Sequence, residues 1–149
     1  MGIKVLVSNR KAFHDYMIGD KFEAGLSLTG TEIKSLRQGK ANLTDGWVEL
    51  TDSGPYLKDI HISHYSHGNL QNHDETRPRP LLLSKIEISK IRQKMEQKGF
   101  TVVPLKIYMK NRWAKCEIAL AKGKKQYDKR ESDKKKQADR DISRAMRGK

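Results

Sequence analysis

Apolar residues recur at every second position in several short stretches of this chain, and at helical spacing in few. Residues 4–8 alternate enough for a short strand, and 12–16 can form a helical turn. Over 21–28 the alternation is cleaner. Phe22, Ala24, Leu26 and Leu28 fall on one face, with Lys21, Glu23 and Ser27 on the other. Thr29-Gly30-Thr31 breaks this strand. A short helix is predicted over 31–38, with Ile33 and Leu36 inward and Gly39 as its stop. Residues 47–51 and 56–60 read as a hairpin around Asp52-Ser53-Gly54-Pro55. The stretch 64–80 carries no period and is rich in turn residues, so a long surface loop is expected. Ser84 and Glu87 have capping-box spacing. The helix they open places Ile88, Ile91 and Met95 on one face and ends at Gly99. Two more strands follow, 100–109 and 113–121. In the first, Val103, Leu105, Ile107 and Met109 share a face, and Pro104 marks an edge or a bulge. In the second, Ala114, Cys116, Ile118 and Leu120 face in, while Trp113, Lys115 and Glu117 face out. About six short strands with two inserted helices suggest a small, closed or partly closed Greek-key barrel of the OB type. The competing architecture is an open α+β sheet with helices on one face.

The pattern fails beyond residue 121. Residues 122–149 hold 12 Lys and Arg against 5 Asp and Glu, more than half of the chain's net charge of +13. A segment with so few large apolar residues builds no core, so the chain divides into a folded domain, 1–121, and a basic tail, 122–149. Ala138, Ile142, Ala145 and Met146 form one thin apolar stripe at helical spacing. The tail is expected to be disordered when free and helical when docked on a partner. Its charge suits a polyanion better than a small substrate, and a pI near 9.9 points the same way.

The residues offer little catalytic chemistry. His61, His64 and His67, with His73 beyond, could ligate zinc or serve a nuclease. No Cys or carboxylate stands at ligand spacing beside them, and ordinary loop histidines are the competing reading. No phosphate-cradling glycine run occurs. The lone Cys116 reads as a small core residue and fits a reducing cytosol. No apolar run reaches membrane-spanning length, so a cytoplasmic protein with no membrane partner is expected. Binding features are stronger. Lys34, Arg37 and Lys40 cluster on and just after the first helix, Arg77 and Arg79 flank Pro78, and Lys106, Lys110, Arg112 and Lys115 sit on the last hairpin. Tyr16, Trp47, Tyr56, Tyr108 and Trp113 lie among them. Basic groups can neutralise phosphates while rings stack on unpaired bases, with core packing and solvated surface as the bland alternatives.

Several ordered runs resemble one family. They are Asn9-Arg10-Lys11-Ala12 with Tyr16; Phe22-Glu23-Ala24-Gly25-Leu26; and Gly30-Thr31-Glu32-Ile33-Lys34-Ser35-Leu36-Arg37 followed by Gly39-Lys40-Ala41-Asn42. Arg79-Pro80-Leu81-Leu82-Leu83, Gly99-Phe100-Thr101-Val102-Val103 and Lys122-Gly123-Lys124-Lys125-Gln126-Tyr127-Asp128-Lys129-Arg130 complete the set. Together they resemble small protein B, the SsrA-binding proteins, across essentially the whole chain.

The resemblance implies an OB-type barrel that is not an enzyme and needs no cofactor or metal. It implies a monomeric adaptor that binds the tRNA-like domain of tmRNA and carries it to stalled ribosomes for trans-translation. Asn9, Arg10, Tyr16, Glu23, Leu82 and Lys115 would face the RNA. Lys34, Arg37, Lys40 and Asn42 join them mainly on charge and position. Glu23 has a bland alternative, an ion pair within the protein. In the tail, Lys122, Lys124, Lys125, Tyr127, Asp128, Lys129 and Arg130 would meet the decoding region of the small subunit. Ile142 and Met146 would seat the induced helix in the mRNA channel. Position 127 is Tyr where many members have His, so a proton-dependent role there is not expected. The competing functions are a generic single-strand RNA or ribosome-associated binder, and a metal-dependent nuclease using the His loop.

Overall fold

The structure, a computed structural model, describes residues 3–66 and 72–123. Nine strands and three helices follow in chain order among them: β1 (Ile3–Ser8), α1 (Arg10–Asp15), β2 (Tyr16–Leu26), α2 (Gly30–Arg37), β3 (Ala41–Asn42), β4 (Trp47–Thr51), β5 (Gly54–Lys58), β6 (His61–Ile62), β7 (Arg79–Leu82), α3 (Lys85–Lys98), β8 (Thr101–Lys110) and β9 (Trp113–Gly123). Seven strands form one sheet in the order β1-β8-β9-β2-β7-β5-β4, and β3 pairs with β6 apart from it. Every pairing is antiparallel. The domain is mainly β, as the period-two stretches predict.

The predicted inward face of β2 and β9 forms the main core. Ala24, Leu26, Cys116, Ile118 and Leu120 pack there with Leu36 of α2 and Ile91 of α3. Both long helices start at capping boxes, Thr29 with Glu32 and Ser84 with Glu87. Gly39 and Gly99 follow them at positive φ, where a side chain would strain the backbone. On α2 the buried positions are Glu32, Ser35 and Leu36, so the predicted inward Ile33 is displaced by a carboxylate.

A smaller core lies on the other face of the sheet. Ala12 of α1 packs there on Val103, Leu105, Ala119 and Ala121. This second layer explains the burial of β9. Burial alternates over its first half and becomes continuous where α1 covers the outer side. Pro104 sits at a bulge of β8, a strand flanked on both sides, and not at an edge. Pro104 pairs with Ile118 and Lys106 with Glu117, so Leu105 is the inserted residue. The insertion reverses the alternation. Val103 and Leu105 join the α1 core while Ile107 joins the main one, which corrects the single predicted face.

The closed barrel is not formed among the described residues, where no ladder joins the terminal strands β1 and β4. The chain turns out of β1 into α1 at Asn9, whose side chain ties this turn to the segment before β4 and to β8. Asn9 Nδ2 donates to Leu43 O (3.1 Å) and Pro104 O (2.9 Å). Next to this seam stands Gly46. A Cβ there would lie 2.5 Å from Ile60 Cγ2 and 2.8 Å from Pro104 Cγ, whereas nothing lies within 4 Å of one at Gly30. Gly46→Ala should therefore cost about 1–3 kcal/mol by overpacking. Gly30→Ala, at the first position of α2, should be neutral or slightly stabilising. Urea unfolding of both variants compares them, and equal midpoints would contradict the seam.

Candidate nucleic-acid interface

Antiparallel partners share a face, so register alone aligns side chains across the outer side of the sheet. One cross-strand row runs Leu82, Gly25, Lys115, Tyr108, Val5 over five strands. At about 4.8 Å per strand it spans roughly 19 Å. A second row places Glu23 beside Glu117 and Lys106. A third, at the hairpin tip, is Trp113, Lys110 and Ile3. The absent side chain at Gly25 leaves room for Leu82, whose Cβ would lie 3.1 Å from a Cβ there. Leu82 stands 68% exposed.

Glu23 organises the middle of this face. Its carboxylate accepts from the Tyr108 hydroxyl, and Lys110 Nζ lies 3.5 Å away. The Tyr108 hydrogen bond holds the Glu23 carboxyl below its usual value against a partial burial cost, with help from Lys110 and Lys115. Burial and Glu23 push the Tyr108 phenol up, so it stays a donor. Lys106 Nζ sits 5.5 Å from the Tyr108 ring centroid and 3.9 Å from Glu117. Glu23 thus makes the internal contact foreseen as its bland reading while remaining on the exposed face.

The residues the resemblance put on the RNA face converge here, with one exception. Arg10 is exposed on α1, and Tyr16 lies at the start of β2 against the outer core that α1 covers. Asn9 is 3% exposed. Its Oδ1 accepts from the Ala12 N–H at 3.2 Å and its amide holds the seam, so in the fold it positions α1. The residues added on charge and position fall elsewhere. Lys34, Arg37 and Lys40 are exposed on and after α2, and Asn42 Oδ1 accepts from Thr44 N–H at 2.8 Å. Leu36 anchors α2 in the main core, so Lys34 and Arg37 ride on a helix packed against the inner side of the sheet, while Lys40 follows that helix and Asn42 lies on β3, outside the large sheet. Lys34 Nζ stands 5.4 Å from the Tyr65 ring centroid. Lys122 ends the described basic stretch, with Nζ 4.7 Å from the Phe100 ring centroid. Lys124, Lys125, Tyr127, Asp128, Lys129, Arg130, Ile142 and Met146 lie outside the described residues.

The expected surface loop is more structured than its composition suggests. Arg79 opens β7 and is fully buried, as is Glu32. Arg79 Nε donates to Glu32 Oε2 at 2.7 Å, and its other nitrogens donate to Ile60 O, Asp74 O and Glu75 O. Arg77 donates to both Glu32 oxygens. Arg77 and Arg79, read from sequence as a basic pair, are thus turned inward. His73 is buried too, between Thr31 Oγ1 (2.9 Å) and Ile62 O (2.8 Å). His61 and His64 meet the Glu75 carboxylate, and His67 lies outside the described residues. Among the described residues no group of three or more His, Cys, Asp or Glu could hold a metal ion. Cys116 is buried, and burial pushes its thiol up, away from nucleophilic chemistry. No helix among the described residues is long and apolar enough to cross a membrane.

The family model described as SmpB protein matches residues 6–148. A relative from Geobacter metallireducens, called SsrA-binding protein, is 53% identical over 147 residues, 99% of this chain and 96% of its own length. Another of the same name from Enterococcus faecalis is 52% identical over 144 residues, covering 97% and 94%. A solved chain described as "tmRNA-SmpB: a journey to the center of the bacterial ribosome" superimposes with a TM-score of 0.67 at 47% identity, over 78% of this chain and 82% of that one.

Proposed function

The chain belongs to the SmpB family, whose members include the SsrA-binding proteins, and on that footing we propose that it is a tmRNA-binding adaptor of trans-translation. It binds the tRNA-like domain of tmRNA and delivers it to stalled ribosomes, so that incomplete proteins are tagged and released. The observation that carries the reading is the extent of the family match, residues 6–148, which takes in the sheet and the basic tail alike. The protein works by binding and not by catalysis, as a monomer in the cytoplasm. The seven-stranded sheet is the partly closed OB-type barrel of the domain, residues 1–121, with Asn9 tying the turn after β1 to Leu43 and to β8. β9 takes Lys122 and Gly123 into the sheet, and the rest of the basic tail, 124–149, enters the decoding region and mRNA channel of the small subunit.

The outer face is the tmRNA surface. Arg10, Tyr16, Glu23, Leu82 and Lys115 contact the RNA directly, and Asn9 acts through the placement of α1. Lys34, Arg37 and Lys40, on and just after α2, form a separate basic surface, with Asn42 beside them on β3.

Glu23→Arg separates this reading from a generic single-strand binder. The change replaces a negative charge with a positive one beside Lys110 and Lys115 and removes the acceptor that holds the Tyr108 hydroxyl. A protein that binds through charge alone would gain affinity for any RNA. A dedicated tmRNA surface should lose about tenfold or more for tmRNA while keeping or raising its affinity for unrelated RNA. Competition binding at two salt concentrations measures both. Wild-type protein that binds duplex RNA as tightly as tmRNA would remove the proposed function.

A further inference from the structure

Of the five aromatic residues that lie among basic ones in the sequence, four are engaged or covered. Trp47 Nε1 donates to Asp59 Oδ2 at 2.6 Å and Lys58 lies over its ring. Tyr108 is buried and bonded to Glu23. Tyr16 packs against the outer core, and Tyr56 is half-buried in β5. Trp113 differs. It is 71% exposed, and no stacking or cation–π partner holds it among the described residues.

An indole left this open loses the hydrophobic gain that ordinarily repays so large a side chain. Its surroundings define what would cover it. Trp113 follows the two-residue turn Asn111-Arg112, in which Asn111 takes a φ of +58°. Lys110 is its cross-strand partner, Ile3 stands beyond Lys110, and Lys115 lies two residues along on the same face. Arg112 is exposed at the tip, and neither Arg112 nor Lys115 makes an ion pair among the described residues. Four residues along the strand and one strand across, Trp113 is about 14 Å from Glu23. An apolar protein surface would bury these cations beside it without partners. A base attached to phosphates would bring a flat π-face to the ring and anions to Arg112 and Lys115.

We propose that Trp113 is a stacking platform for one unpaired base of the bound RNA, with Arg112 and Lys115 holding the flanking phosphates. The inference rests on the RNA-binding reading of this face and extends it to a residue that reading does not include. The site takes any base, because stacking uses the ring face and not the hydrogen-bonding edge.

The test uses the full-length protein with three RNAs: tmRNA, a single-stranded oligomer and a blunt duplex. W113A should lose about tenfold in affinity for the first two and nothing for the duplex. Its salt slope should stay that of the wild type, since no charge is removed. W113F should recover most of the loss. Tryptophan fluorescence of the wild type should be quenched by single-stranded RNA, and W113F should abolish that quenching. Wild-type affinity in W113A, or undiminished quenching in W113F, overturns the platform. The adaptor reading fails separately, when wild-type protein does not prefer tmRNA to duplex. The single-stranded oligomer still decides the base site in that case.

Discussion

Glu32→Ala should destabilise the domain by about 3–5 kcal/mol, the cost of leaving one partner of a buried ion pair without the other. That is a large share of the ~5–15 kcal/mol that holds a domain of ordinary stability. The carboxylate has no spare capacity. Oε1 accepts from Thr29 N–H (2.8 Å) and Arg77, and Oε2 from Arg79 (2.7 Å) and Arg77 (3.2 Å). Removing it strands the Arg79 guanidinium, which has no exposure to water. Truncating both partners would not restore stability. Arg79 also satisfies the carbonyls of Ile60, Asp74 and Glu75, and an apolar replacement would orphan them.

Burial alone would raise the Glu32 carboxyl, but Arg77, the Thr29 N–H and Arg79 outweigh it and hold the group below its usual value. The unfolded chain therefore binds this proton more readily than the folded one. The stabilisation is complete above the unfolded value of about 4.3 and fades as pH falls through the lower folded value. Glu32→Gln should unfold more readily near neutral pH yet lose less further stability below about pH 4. Urea unfolding at pH 7 and pH 3.5 measures both. A Glu32→Ala cost under about 1 kcal/mol at pH 7 would mean the charges are solvated and the network is not a core element.

This network also marks the limit of what the chain reveals on reading. Period two located most long strands, the Ser84–Glu87 capping spacing located α3, and the Leu36 spacing with the Gly39 stop located α2, because those signals are local. Glu32 and Arg79 are separated by 47 positions, and no local pattern pairs them. On composition each looked like surface, and the loop before Arg79 looked featureless. A carboxylate at the third position of a helix, three residues ahead of Ser35, was the available hint, and in the structure it serves the capping box as well as the buried network. Leu105 failed for a related reason. One inserted residue moves every later side chain to the opposite face, and Pro104 announced a bulge without fixing its position. The site divided along the same line. Motif resemblance placed Arg10, Tyr16, Glu23, Leu82 and Lys115 on one side of the sheet. Charge and proximity in sequence grouped Lys34, Arg37, Lys40 and Asn42 with them, although Lys34 and Arg37 ride on α2 and Asn42 lies on β3, outside the large sheet. Position along a chain predicts a shared face only inside one strand or one helix.

Ending the chain after Gly123 should leave tmRNA affinity within about twofold of the full-length value and abolish tagging on stalled ribosomes. The cut belongs there and not before Lys122, because β9 continues to the end of its ladder with β2. Met17 pairs with Lys122 and Tyr16 with Gly123, and Lys122 covers Phe100. A shorter chain would expose the edge beside Tyr16 and damage the RNA face itself. The removed residues, 124–149, carry 11 Lys and Arg against 5 Asp and Glu. Such a segment adds sequence-independent attraction to any RNA, most strongly at low salt. Equal tmRNA affinity is therefore expected near physiological ionic strength, with a shallower salt slope for the truncated protein. Rescue is the larger effect, because decoding-region contacts would go with the tail and nothing in the sheet replaces them. A filter-binding salt series and a tagging assay on ribosomes stalled at a message end read the two functions apart. Loss of tmRNA binding on truncation would merge tail and face into one site, and tagging that survives would place the ribosomal contacts on the folded domain.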